Sequence, residues 1–246
     1  RCLSEGGAYL LEYRVRHAKG HYLWGADRGR LVERQADGAP RRVVGCLKSV
    51  EERRRVDEDV YRHAYFDLLT GLPNRRLFFD RLQRATARNE RNGHLGALML
   101  IDVDGFRKFN DTYGHAMGDV LLIEVGSRLQ ECLRLQDTVA RLGGDEFAFV
   151  LEGLAEQAET AANSAVLVGN RVLRMLERPF RLGTLTYECS TSIGMTLFAG
   201  VEDGTDHILK RADLAMHDAK AVPGSALKIV YQPAGALSLE LPQAPE

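Results

Sequence analysis

An α/β fold behind a separate, all-strand N-terminal stretch is what the sequence predicts, on three observations. From Thr70 onward, apolar residues at helical spacing alternate with short apolar runs of strand length. Two of those runs flank the diglycine Gly143-Gly144, so part of the sheet is a hairpin. Before about Lys48 the pattern is strand-like only. The chain has 246 residues, enough for one full domain and an extra module. Apolar residues make up 45% of it, so a proper core can be built. Charged residues are 27% with a formal net charge of −1, which gives no global basic character and argues against a nucleic-acid polymer as main partner.

Ala8 to Val15 reads as a strand, His17 to Gly20 as a turn, and His21 to Trp24 and Arg28 to Arg34 as further strands. Asp37-Gly38 is a hairpin signal and Arg41 to Leu47 returns. Val50 to Tyr65 is a charged helix with a narrow stripe of Val56, Val60 and Ala64, either a solvated connector or half of a parallel helix pair. Leu69 to Asn74 is a turn, and Arg75 to Glu90 a helix with Leu77, Phe78, Leu82 and Ala85 inward. Ala97 to Ile101 is uninterrupted apolar sequence, as in a strand buried on both faces. His115 to Arg134 is a helix with Val120, Leu121, Ile123, Val125 and Leu129 as its apolar positions. Thr138 to Leu142 and Phe147 to Leu151 are strands around a tight turn. Glu156 to Glu177 is a helix stopped by Pro179. Leu185 to Phe198 holds one or two strands, Thr205 to Ala221 a helix, and Ala226 to Tyr231 a last strand. Gln232 to Glu246, rich in Pro and Ala, is expected to be a flexible tail.

No apolar run approaches the roughly 20 residues that span a bilayer. The start, Arg1-Cys2-Leu3-Ser4-Glu5, has neither an initiator Met nor a signal-peptide core, so a piece of a longer protein is expected. A membrane segment or another domain outside these residues stays open. Cys2, Cys46, Cys132 and Cys189 form no Cys-x-x-Cys pair, which fits free thiols in a reducing cytoplasm.

Two acidic clusters carry the chemistry. In Ile101-Asp102-Val103-Asp104 an apolar strand runs straight into carboxylates. In Arg141 to Phe147 two glycines and two acids, Asp145 and Glu146, sit between strands. Adjacent carboxylates repel unless a cation lies between them. Acid oxygens at a strand end plus acids from a hairpin suit Mg²⁺, which takes one or two carboxylates together with phosphate oxygens. Either cluster alone could be an ordinary acidic turn; both, in this order, are more telling.

With these residues the chain from about Asp67 to Tyr231 resembles a GGDEF domain, the diguanylate cyclase family. The resemblance rests on Asp67-Leu68-Leu69-Thr70-Gly71-Leu72-Pro73-Asn74-Arg75-Arg76, on Ile101 to Asp119 (IDVDGFRKFNDTYGHAMGD), and on Arg141 to Phe147. It extends through Ser190 to Gly194 and Ala212 to Lys220. It implies a central, mainly antiparallel sheet wrapped by helices, and an enzyme that condenses two GTP into cyclic di-GMP with release of two pyrophosphates. A homodimer is implied, because each domain holds one GTP. Asp102, Asp145 and Glu146 would be catalytic. The same three, with the carbonyl of Val103, would hold two Mg²⁺, or Mn²⁺. Gly105, Phe106, Arg107, Lys108, Gly143, Gly144 and Lys220 would line the phosphates, and Asn110 and Asp119 would read guanine. Asp104 is expected to be structural and His115 a helix-end residue. Arg134 and Asp137 match the family's RxxD site, where the product inhibits, and Arg171 is a further candidate there.

Departures are visible too. Arg107 stands where Lys is usual and His217 where Tyr is usual. The run Ala221-Val222-Pro223-Gly224-Ser225 lacks the Arg expected after Lys220. Residues 1 to 50 resemble the C-terminal part of a PAS sensor, through Glu12 to Arg16, Gly20 to Trp24 and Gly45 to Val50. The expected organisation is thus 1–50 PAS-like, 51–66 linker helix, 67–232 GGDEF domain and 233–246 tail. A competing reading is a module that binds GTP or cyclic di-GMP and regulates a neighbour such as an EAL phosphodiesterase. A third, a pure interaction domain, is disfavoured by the clustered acids.

Overall fold

The computed structural model describes residues 8–230. Cys2 and the expected tail fall outside them, as does Tyr231. The chain divides into two compact units, Arg1–Arg62 and His63–Glu246.

The first unit is a three-stranded antiparallel sheet in the order β1-β2-β3, with β1 at Ala8–Arg16, β2 at Tyr22–Arg34 and β3 at Pro40–Ser49. The two strands expected between His21 and Arg34 are one. Gly25, Ala26 and Asp27 stay paired on both sides, and the Leu47 side chain fills the space a β-carbon at Gly25 would take. Helix α1, Glu51–Tyr65, begins with the Glu51 carboxylate accepting the Trp24 amide. Arg53 and Arg54 pair with Glu12, and the Arg54 guanidinium lies 3.9 Å from the Trp24 ring centroid. Val56, Val60 and Tyr61 remain exposed.

The second unit is built on a five-stranded sheet in the order β10-β9-β4-β6-β5. Its strands are β4 Leu95–Val103, β5 Thr138–Gly143, β6 Glu146–Ala155, β9 Thr191–Phe198 and β10 Ala226–Val230. Only the β9–β10 pair is parallel. β4 is central and every residue in it is buried, which is why its sequence shows no alternation. Ala97, Met99 and Ile101 face helices α4 (His115–Glu131) and α5 (Ala158–Leu176). Leu98 and Leu100 face α2 (Arg75–Asn92) and α6 (Thr205–Lys220).

Several elements differ from expectation. Phe106–Tyr113 is a separate helix, α3, bounded by Gly105 (φ 72°) and Gly114 (φ 84°). Both glycines take left-handed or related backbone that interrupts a longer helix. α4 ends at Glu131 rather than Arg134, because the Asp137 carboxylate accepts the Arg134 amide and offers the backbone a turn instead. Val120 and Ile123 are exposed, and Leu121, Leu122, Val125 and Leu129 face the core. A small hairpin, β7 Phe180–Leu182 and β8 Leu185–Tyr187, follows α5.

Two local devices set the position of the acidic residues. α2 is capped by Asn74, whose side chain accepts the Leu77 amide at 3.1 Å and donates to the Ala64 carbonyl. Just before it, Asp67 accepts from the Thr70 amide and hydroxyl and receives Arg141 Nη1 at 3.0 Å. Arg141 also donates twice to the Gly144 carbonyl, so one guanidinium ties the diglycine turn to the segment ahead of α2. Burial alone would raise the Asp67 carboxyl, but the Thr70 and Arg141 bonds outweigh it and hold the carboxyl below its usual range. At the other edge, Gly194 lets β9 touch α6: an added β-carbon would sit 2.1 Å from the Met216 amide nitrogen.

Two outcomes follow. Gly194→Val pushes α6 off the sheet and lowers stability by more than about 2 kcal/mol, seen as a depressed thermal midpoint; an unchanged midpoint contradicts the close approach. Asp67→Asn costs about 1–3 kcal/mol at neutral pH. Because the folded carboxyl is lowered, its contribution is complete above the usual carboxylate range and is lost as pH falls through the folded value. The wild type and Asp67→Asn therefore converge in stability at acid pH, which urea titrations across pH 2–7 would show.

Candidate active site

The site assembles where β4 ends. Asp102 follows Leu100 on the face towards α2 and α6, and its Cα lies opposite Glu146 on β6 and Ser192 on β9. The hairpin between β5 and β6 is a two-residue turn, Gly144-Asp145, with Gly143 at φ 144° and Gly144 at φ 55°. Residues with a β-carbon are strained in those conformations, so the diglycine is what brings the acid of a short turn back beside β4.

Asp102 is 8% exposed, and its Oδ2 lies 2.7 Å from Lys220 Nζ at the last turn of α6. Burial first, then the charges of Asp145 and Asp104, push the Asp102 carboxyl above its usual value against the pull of Lys220. Lys220 is raised in turn: burial opposes its charge, but Asp102, Asp145 and Asp104 together favour it. Asp104 is held by Ser192, whose hydroxyl donates to Oδ1 at 2.9 Å, while the Asp104 amide bonds the Ser190 carbonyl. Asp104 is thus a positioned neighbour of the cluster, as the sequence reading expects.

Among the described residues no three His, Cys, Asp or Glu side chains converge tightly enough to enclose a metal ion by themselves. The ammonium of Lys220 is the cation that sits on Asp102. A hard divalent ion with phosphate oxygens in its shell needs only one or two carboxylates, so this donor set is compatible with one once the triphosphate arrives.

Other expected residues are distributed around this centre. Val103 closes β4 opposite Thr191, and Gly105 caps α3, whose first residues are Phe106, Arg107 and Lys108. Arg107 and Lys108 are exposed. Asn110 packs against α4: a β-carbon at Gly118 would lie 1.9 Å from its side-chain oxygen, so the glycine is what admits it. That oxygen is buried and has no hydrogen-bond partner. Asp119 follows Gly118 on α4 and is exposed. His115 is the first residue of α4, as expected of a helix-end residue.

Arg134 and Asp137 form a turn apart from that cluster, between α4 and β5. The Asp137 carboxylate accepts the Arg134 amide at 3.2 Å and the Glu152 amide at 3.4 Å, while burial raises it above its usual value. Arg171 on α5 donates to the carbonyl of Glu131, the last residue of α4, and so stands beside this turn. The sequence reading missed three contributors. Ser192 and Arg141 position acids, and Ser225, within the altered run after Lys220, accepts the Thr191 amide where the expected Arg is absent. Nothing local marks Arg141 as the partner of Asp67, which lies 74 residues away.

Comparison with known proteins places this geometry. Residues 64–225 match the family described as diguanylate cyclase, GGDEF domain, and residues 1–47 match the PAS fold. The bifunctional diguanylate cyclase/cyclic di-GMP phosphodiesterase MucR of Pseudomonas aeruginosa is 38% identical over 166 residues, covering 68% of this chain and 23% of that protein. The diguanylate cyclase TpbB of the same species is 39% identical over 176 residues, covering 71% and 39%. This chain therefore spans well under half the length of these relatives. Among solved structures, the GGDEF domain of TpbB has a TM-score of 0.62 at 36% identity, covering 67% of this chain and 94% of that one. The coiled coil and GGDEF domain of DgcB from Caulobacter crescentus, in complex with c-di-GMP, has a TM-score of 0.63 at 29% identity, covering 73% and 93%. With a buried strand-end aspartate, a diglycine hairpin of acids and a family match along about two thirds of its length, the chain belongs to the diguanylate cyclase GGDEF-domain family.

Proposed function

We propose that residues 67–232 are an active diguanylate cyclase that condenses two GTP into cyclic di-GMP, releasing two pyrophosphates. The observation that supports this most directly is the Lys220 ammonium resting on Asp102 within the fields of Asp145 and Asp104. A site that gathers this much negative charge is built for cations. Two divalent ions, Mg²⁺ or Mn²⁺, would neutralise the triphosphate and lower the cost of ionising the attacking 3′-hydroxyl.

The chain's own residues do the rest. Asp102 and Asp145, with the Val103 carbonyl, would hold the ions, and Glu146, exposed at the hairpin, would be a further ligand or take the proton of the 3′-hydroxyl. Lys220 leaves Asp102 and pairs with phosphate oxygens, with Arg107 and Lys108 adding charge from α3. Amides around Gly105, Phe106, Gly143 and Gly144 lie along the phosphates. The buried acceptor of Asn110 and the carboxylate of Asp119 suit the N–H edge of guanine. One domain holds one GTP, so two copies face each other, and the exposed stripe of Val56 and Val60 on α1 fits a helix pair. Arg134, Asp137 and Arg171 form the inhibitory product site, joined through hydrogen bonds at the end of α4 and the start of β5.

A second reading rests on the altered run after Lys220. With Ser225 bonded to Thr191 and no Arg there, turnover is low and the domain binds GTP or cyclic di-GMP to regulate a neighbouring domain. A relative named cyclic di-GMP phosphodiesterase PdeR, from Escherichia coli, is 32% identical over 217 residues.

Incubation with GTP and Mg²⁺, followed by separation of the nucleotides, decides between these. Cyclic di-GMP is expected from the wild type, and Asp145→Ala lowers the rate by at least about 100-fold; GTP binding without product favours the regulatory module. Lys220→Met splits two effects. Without nucleotide, Mn²⁺ binds more tightly because Asp102 has lost its competitor, while KM for GTP rises roughly tenfold; weaker Mn²⁺ binding would contradict the account of Lys220. Arg134→Ala weakens cyclic di-GMP binding by about tenfold or more and relieves inhibition, and unchanged inhibition removes Arg134 from the product site.

A further inference from the structure

Beside the acidic centre lies a second hollow. It has a volume of about 320 Å³ and lies between the start of α2, the base of the β5–β6 hairpin and α6. Leu209, Asp213, Met216 and Lys220 recur at helical spacing along one stripe of α6, so the helix that places Lys220 on Asp102 also walls this hollow. Its floor is apolar, with Leu100, Leu142 and Leu209 among its lining. Four charged side chains rim it: Arg75, Lys210, Asp213 and Glu146.

These charges are not spent on one another. Among the described residues Arg75, Lys210, Asp213 and Glu146 form no ion pair, and the only recorded partner of the Arg75 guanidinium is the Phe79 ring, 5.8 Å from its centroid. An apolar floor with two cations and two carboxylates left open on its rim suits a flat ring that carries both N–H donors and an anionic group. Guanine supplies the donors through its N1 and exocyclic amino groups, and a phosphate supplies the anion. Adenine lacks that donor pair. The volume lies at the lower end of small-molecule sites and admits one nucleotide rather than a dinucleotide.

We propose that this hollow is a second guanine-mononucleotide site, separate from the guanine-reading pair Asn110 and Asp119. The base lies on Leu142 and Leu209 with its donor edge on Asp213, and the phosphate meets Arg75 and Lys210. An occupant touches Glu146, so filling the hollow slows the reaction; this last consequence rests on the role assigned to Glu146 above.

The test uses the full chain carrying Arg134→Ala, which removes the inhibitory product site, with a chelator present to disable the metal centre. GMP is titrated calorimetrically. The expected result is one saturable site. Leu209→Trp, which fills the hollow, and Lys210→Glu, an exposed change that folding tolerates, each weaken it at least tenfold. AMP binds at least tenfold more weakly than GMP, and Asp119→Asn leaves GMP binding unaltered. Absence of saturable binding up to millimolar GMP overturns the proposal. So does binding that survives both Leu209→Trp and Lys210→Glu, or binding lost in Asp119→Asn. GTP turnover, assayed separately, keeps the two readings apart: product without GMP binding here removes only this site, and GMP binding without product removes only the cyclase.

Discussion

A carboxylate held at the end of a fully buried strand must be neutralised or solvated, and that requirement organises the second unit. β4 carries Asp102 out of the core to a point where Asp104, Asp145 and Glu146 gather from neighbouring segments. Burial first, and then the charges of Asp145 and Asp104, raise Asp102, and Lys220 from α6 offsets them as its ion-pair partner. In the structure the cation that offsets this charge is the Lys220 ammonium.

The hairpin that delivers Asp145 and Glu146 is short, and short turns are easily displaced. Here a single guanidinium prevents it. Arg141 donates to the Gly144 carbonyl and to both oxygens of Asp67, and its own amide bonds the Pro73 carbonyl. The segment from Asp67 to Asn74 thereby does two jobs: it caps α2 and anchors the turn. This gives a physical reason for the polar residues Asp67, Thr70 and Asn74 in that segment.

The two faces of the central sheet carry different tasks. α4 and α5 cover one, and their junction with β5 contains the Arg134–Asp137 turn and Arg171. α2 and α6 cover the other, which carries Lys220 on Asp102 and the apolar hollow between the two helices and the hairpin. Close helix–strand contact at Gly194 fixes where α6 lies. Lys220, one turn beyond Met216, thus owes its place over Asp102 partly to a contact with a glycine 26 residues earlier in the chain.

Much of this was readable in the residues alone. The apolar run of β4, the acids that follow it, the diglycine and the order of the motifs identified the domain and its candidate site, because strand burial and tight-turn geometry leave strong local marks. Helix ends are less legible: left-handed glycines set off α3, and a side-chain-to-backbone bond from Asp137 ends α4 before its apolar pattern does. The partners of Asp102, Asp67 and Asp104 lay beyond reach. Lys220, Arg141 and Ser192 stand 74 to 118 residues from them in sequence, and nothing local encodes a contact that only the stacking of β9, β4 and β6 and the docking of α6 bring about. Sequence determined which groups are present; tertiary packing decided which charges meet, because electrostatic pairing depends on separation in space and not along the chain.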